Sequence, residues 1–215
     1  MIISHKYRFI FLKTGKVGGT SLEIALSKHL GPDDVITPLK AVDEDLRRDL
    51  GFPTAQNYLK TYGDCSAFET LRRLRAGLGL GGRPPKNFWN HMSAAEVRKR
   101  VPDDVWRAYY RFSVERNPWD KTVSRYYWEK RNLSFRDYVE RGLNYKTSNY
   151  NIYSIYGRPA VDKILRYESL ASELRDLTSE VGYPEPIDQI FQSIQTKAGH
   201  RKGSKDYRDH YDAQT

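Results

Sequence analysis

Between residues 7 and 30 the chain passes through three kinds of sequence in immediate succession, and that order leaves few folds open. Tyr7–Leu12 (YRFIFL) is a short run of aromatic and β-branched side chains, the composition of a buried strand. It gives way to Lys13-Thr-Gly-Lys-Val-Gly-Gly-Thr-Ser21, a glycine-rich loop. Ser21–Leu30 (SLEIALSKHL) then sets Leu22, Ile24, Ala25 and Leu26 on or near one helical face, and Gly31-Pro32 stops it. A strand, a glycine loop and a helix in this order form the opening of an α/β unit. The loop N–H groups and the helix N-terminus converge where an anion is favoured. Glycines 15, 18 and 19 let the backbone approach phosphate oxygens, and Thr20 and Ser21 add hydroxyl donors.

The pattern recurs. Tyr110–Glu115 (YRFSVE) reads as a second strand, followed by Arg116-Asn-Pro118 and a helix to about Arg131, with proline at its first turn. Lys163–Tyr167 (KILRY) reads as a third, leading into a helix from about Ser169 to Val181 that Gly182 and Pro184 close. This alternation predicts one α/β domain over residues 1–215: a central, mostly parallel sheet flanked by helices, with a P-loop-like strand-loop-helix phosphate site. Ser93-Ala-Ala-Glu96 has the spacing of a capping box and starts a helix ending near Arg100, before Pro102. Residues 33–85 hold scattered helical pieces such as Phe68–Ala76 and the loop composition of Gly77–Pro85; this variable segment is where an acceptor site is expected. The tail, residues 197–215, is basic and aperiodic.

Charge narrows the partners only in sign. Lys plus Arg number 36 against 27 for Asp plus Glu, a net charge of +9, which favours nucleic acid, a phosphorylated nucleotide or an acidic glycan without choosing among them. The single cysteine, Cys65, excludes an internal disulfide and a Cys-rich metal site and favours a reducing compartment. Charge near Met1 where a signal peptide needs an apolar run, and no stretch approaching the roughly 18 apolar residues of a membrane span, predict a cytoplasmic protein without a span. No His, Cys and carboxylate spacing suggests a metal site.

The loop is not the nucleoside-triphosphate motif: with Ser21 as its last position, the lysine slot holds Thr20 and the first glycine slot Thr14. Phe11-Leu-Lys-Thr-Gly-Lys-Val-Gly-Gly-Thr-Ser21 instead resembles the 5′-phosphosulfate-binding loop of sulfotransferases that use 3′-phosphoadenosine 5′-phosphosulfate (PAPS), especially the carbohydrate-type branch and its bacterial relatives. Val114-Glu-Arg-Asn-Pro-Trp-Asp-Lys-Thr-Val-Ser-Arg-Tyr-Tyr-Trp128 resembles the family's 3′-phosphate motif. There Arg116 offers a planar fork, and Ser124, about two helical turns on, points a hydroxyl to the same phosphate.

The resemblance implies PAPS as donor and its desulfated product PAP, no metal, and an acceptor hydroxyl on a carbohydrate or other small alcohol, with no nucleic acid as partner. By the same resemblance, Lys13, Val17, Gly18, Gly19, Thr20 and Ser21 hold the 5′-phosphosulfate, and Lys16 neutralises the departing oxygen. His91, in Trp89-Asn-His-Met-Ser93, is the expected base, although Asn90 stands where the family has glycine; Glu69 and Glu96 are its rivals. Arg201-Lys202-Gly203 resembles the late loop that covers the 3′-phosphate and adenine. Two other classes stay open: a small-molecule kinase, which needs a lysine directly before Thr or Ser, and a basic nucleic-acid-binding module. Bland roles also compete. Arg116 has Glu115 and Asp120 as ordinary ion-pair partners, Glu168 reads as a structural residue at a helix start, and Trp119, Val123 and Tyr127 read as a core-facing stripe.

Overall fold

The computed structural model describes residues 1–129, 132–194 and 206–212. The chain begins with an antiparallel hairpin, β1 (Ile2–Ser4) and β2 (Phe9–Leu12), and continues through α1 (Gly19–Ser27), β3 (Val35–Ile36), α2 (Ala41–Asp49) and α3 (Ala67–Gly77). Two short helices, α4 (Ala94–Arg98) and α5 (Asp103–Ala108), precede β4 (Tyr110–Glu115) and α6 (Pro118–Glu129). After α7 (Phe135–Glu140) and α8 (Tyr150–Tyr153) come a small ribbon, β5 (Ser154–Ile155) with β6 (Arg158–Pro159), then β7 (Lys163–Arg166), α9 (Leu170–Glu180) and α10 (Ile187–Ser193).

The sheet has the order β3-β1-β2-β4-β7 and is mixed rather than mostly parallel. β2, β4 and β7, the three strands legible in the sequence, do pair in parallel, because long helical crossovers separate them. β1 runs against both of its neighbours. Only a short turn joins it to β2, and a turn of that length permits an antiparallel pair alone. The turn is pinned by Asp34, whose carboxylate accepts from the backbone N–H groups of His5 (2.5 Å) and Lys6 (3.1 Å).

Alternation along the strands divides the interior into two layers. Phe9, Phe11, Phe112, Val114 and Leu165 face α1, α9 and α10, with the Phe11 and Phe112 rings stacked at 5.2 Å. Ile3, Ile10 and Leu12 face α4, α5 and Tyr153 of α8. Each fully buried Phe or Leu here contributes about 1.5–3 kcal/mol. The result is one α/β domain in which the loops after β2, β4 and β7 emerge side by side at the carboxyl ends of adjacent strands.

Two local expectations need correction. α1 begins at Gly19, because Gly18 takes a left-handed conformation (φ 70°) and turns the chain into the helix. Of the expected core stripe on α6, Val123 is fully buried but Trp119 is 54% exposed, its ring meeting Tyr211 edge-on at 5.4 Å. No helix among the described residues is long and apolar enough to cross a membrane.

Candidate functional site

The glycine loop is held at four successive residues by groups distant in sequence. His91 Nδ1 lies 3.0 Å from the Lys13 carbonyl oxygen. The Thr14 hydroxyl donates to the Val114 carbonyl at the end of β4. Gly15 is gripped on both sides of its backbone by Asn149, which accepts from the Gly15 N–H (3.0 Å) and donates to the Gly15 carbonyl (3.1 Å). Arg116 Nη1 donates to the Lys16 carbonyl at 3.2 Å. Lys16 itself has φ 65°, so two left-handed residues in a row of three bend the loop toward α1. A Cβ on Gly19 would stand 3.2 Å from Lys13 Cγ and 3.3 Å from the Thr14 carbonyl, which explains glycine there. The first turn of α1 carries no acidic residue and no side-chain cap.

The cations of the loop divide into an inner and an outer one. The Lys13 ammonium is buried and pairs with Glu23 at 2.7 Å; the amino group of Met1 meets the same carboxylate at 2.6 Å. Burial opposes ionisation of Glu23, but those two cations outweigh it and hold its carboxyl at about 2 instead of 4.5. Lys13, expected at the donor, is thus engaged in the interior. Lys16 is the outer cation, with Nζ 4.4 Å from the centroid of the Trp128 ring. Lys40 reaches the same ring at 4.7 Å, so residue 40 of the variable segment brings a second ammonium to this side of the loop.

Arg116 makes the ion pair with Asp120 that the sequence offered as its structural role. Its Nε and Nη2 each lie 2.7 Å from Asp120 Oδ2, its guanidinium stacks 4.3 Å over Tyr167, and it still ties down the loop through Lys16. Ser124 is half-buried on α6. Glu168 accepts from the Asn117 N–H at 2.7 Å, a structural bond between the loops after β4 and β7. Val17 is fully buried, so only its backbone can face a ligand. Thr20 is half-buried and Ser21 buried at the head of α1. Arg201, Lys202 and Gly203 lie outside the described residues. The next described part of the tail returns to α6, where Tyr211 Oη donates to the Trp119 carbonyl at 2.9 Å.

His91 has the electronic form a base requires. A carbonyl can only accept, so the contact to Lys13 puts the proton on Nδ1 and leaves the Nε2 lone pair available. Desolvation, and then the positive charge of Lys13, lower its pKa below 6.5, so the ring is neutral at pH 7. The rival carboxylates are committed elsewhere: Glu69 to Lys60 at 2.8 Å, and Glu96 to Lys99 (2.9 Å) and Arg100 (2.6 Å).

Beside the loop, Glu115 forms a hub that accepts from Lys121 Nζ (2.6 Å), the Arg116 N–H (2.9 Å), Asn149 Nδ2 (3.3 Å) and Tyr153 Oη (3.2 Å). Burial and the adjacent carboxylate push the Tyr153 phenol up to about 12, so it stays a donor. These groups, with Trp119 and Tyr150, line a cavity of about 460 Å³. Sequence reasoning passed over Asn149, Lys40 and the hub around Glu115. Asn149 and Lys40 sit in no motif, and Glu115 was weighed only as a partner for Arg116.

The fold defines a single-domain α/β protein with a mixed five-stranded sheet and a glycine-rich loop at the carboxyl ends of its parallel strands. The chain belongs to the same family as an uncharacterized protein of Archaeoglobus fulgidus, to which it is 37% identical over 105 residues, 45% of this chain and 88% of the relative. No family model matches the chain, and no solved structure does.

Proposed function

We propose that the protein transfers a sulfuryl group from PAPS to a hydroxyl acceptor. The observation that carries this reading is the meeting of the two strings that resemble sulfotransferase motifs: they follow adjacent parallel strands, and Arg116 of one donates to the Lys16 carbonyl of the other at 3.2 Å. The uncapped first turn of α1 and the ammonium groups of Lys16 and Lys40 suit an anionic donor.

In this reading the acceptor oxygen forms a bond to sulfur as the bond from sulfur to the 5′-phosphate oxygen breaks. PAP leaves, and the acceptor proton passes to His91 Nε2. Lys16 offsets the charge that grows on the leaving oxygen, and Lys13 acts from behind through the loop backbone it anchors. Arg116 fixes the loop and presents its remaining N–H donors to the 3′-phosphate. The cavity beside Glu115 is the proposed acceptor pocket, in place of residues 33–85 as a whole; its mixture of rings and hydrogen-bonding groups suits a hydroxyl-rich molecule.

Calorimetry of PAP against AMP tests the donor. PAP should bind about tenfold more tightly or better, and Arg116→Lys should remove most of that preference. Equal binding of the two nucleotides refutes the reading.

A further inference from the structure

The segment between Leu59 and Lys86 leaves the domain and returns to it, closed at its base by an isolated β-bridge between those two residues and by the Lys60 N–H to the Pro85 carbonyl at 3.1 Å. At its centre is α3, which starts at a full capping box: Ser66 accepts from the Glu69 N–H, and Glu69 accepts from the Ser66 N–H. None of its eleven residues is buried. A helix this short is marginal by itself in water, and ordinary surface helices are retained by burying an apolar face. Here the apolar face points to solvent: Phe68 is 69% exposed, Leu71 55%, Leu74 49% and, just beyond the helix, Leu78 72%.

The charge beside that face has one sign. Arg72 and Arg75 are exposed and lie four residues after Phe68 and Leu71 respectively, so they stand on the same side of the helix as the apolar side chains. Arg83 and Lys86 add two exposed cations after the turn, and Arg72 Nη2 ties that turn to the helix by donating to the Arg83 carbonyl at 3.2 Å. The helix has a single carboxylate, Glu69, which Lys60 neutralises at 2.8 Å.

We propose that α3 is a peripheral docking helix for an anionic lipid surface, lying in the interface with Phe68, Leu71, Leu74 and Leu78 among the acyl chains and Arg72, Arg75, Arg83 and Lys86 at the headgroups. Long basic side chains beside an apolar stripe suit that boundary, since their stems rest on the lipid while their heads stay at its surface. A second copy of the same helix fits poorly, because two such faces would bring arginines against arginines, and the one carboxylate of the helix is already held by Lys60. The proposal is independent of the reaction proposed above.

Co-sedimentation of the full chain with vesicles tests it. Binding is expected to phosphatidylcholine vesicles containing phosphatidylglycerol, not to phosphatidylcholine alone, and it should weaken with salt. Arg72→Gln with Arg75→Gln should weaken partitioning about 25-fold, since each cation near such a surface contributes about fivefold. Leu71→Ser with Leu74→Ser should abolish it. Because the four substituted side chains are exposed, both double variants should melt with the parent protein. In a Phe68→Trp protein, anionic vesicles should shift the added emission to the blue and shield it from quencher. Absence of binding to anionic vesicles, or binding that survives both double variants, overturns the proposal. So does self-association that the leucine variants convert to monomer, which would assign the face to a second copy.

Discussion

Asn149→Ala is the sharpest test of how the site is built, because the grip on Gly15 spans 134 positions of sequence and holds both the N–H and the carbonyl of that residue. The substitution strands the Gly15 N–H and carbonyl and removes one donor from Glu115. Each buried group left unpaired costs about 1–3 kcal/mol, and because Gly15 is only half-buried, water recovers part of that. The expected loss is about 2–3 kcal/mol in urea denaturation, or a fall in Tm of roughly 4–12 °C at about 2–4 °C per kcal/mol for a domain of this size. Asn149→Asp sharpens the test. It keeps the acceptor for the Gly15 N–H but sets a carboxylate against the Gly15 carbonyl and Glu115, so its pKa in the folded state should rise. A carboxyl with a raised folded pKa destabilises at pH values above that pKa and ceases to do so once protonated. The Asp variant should therefore be the weaker of the two at pH 7 and should gain on the Ala variant as pH falls toward 4. An Ala variant within about 0.5 kcal/mol of the parent, or an Asp variant as stable as the parent at pH 7, would refute this account of the loop.

The remaining predictions concern His91 and Glu23. His91→Asn should slow sulfuryl transfer by about 10²–10⁴-fold while leaving PAP affinity intact, and full activity would remove His91 as base. Because a base acts when deprotonated and the pKa of His91 is lowered, the acid limb of the rate profile should lie below pH 6.5; a limb above that value contradicts the environment described for the ring. Glu23→Gln leaves the buried Lys13 ammonium without its counter-charge and should cost about 3–5 kcal/mol, read by urea denaturation. The depressed folded pKa of Glu23 means that its contribution is fully present above pH 4.5 and is lost as the pH falls toward 2. Acid titration of the parent and the Gln variant should therefore converge at the low end, and parallel curves would refute the pairing.

The sequence carried the local grammar of this protein. Strand-forming runs at β2, β4 and β7, the glycine loop, the cap at Ser93 and the proline in the first turn of α6 are short-range signals, set by side-chain alternation, by backbone freedom at glycine and by hydrogen bonds a few residues long. They placed Lys16, Arg116 and His91 in three separate segments that the folded chain gathers around one loop. β1 escaped notice because three residues, Ile2–Ser4, are too few to show a period, and it alone turned a parallel expectation into a mixed sheet.

What tertiary packing decided is which way each charged side chain faces. Lys13 and Lys16 are alike on paper, three positions apart in one loop. The alternation of β2 carries Lys13 down onto Glu23, while the left-handed turn at Lys16 lifts its ammonium out to Trp128. The same holds for Asn149 and Glu115, whose partners come from α6, α8 and the glycine loop. Local periodicity has no access to such pairs, because their energy appears only once distant segments are already side by side.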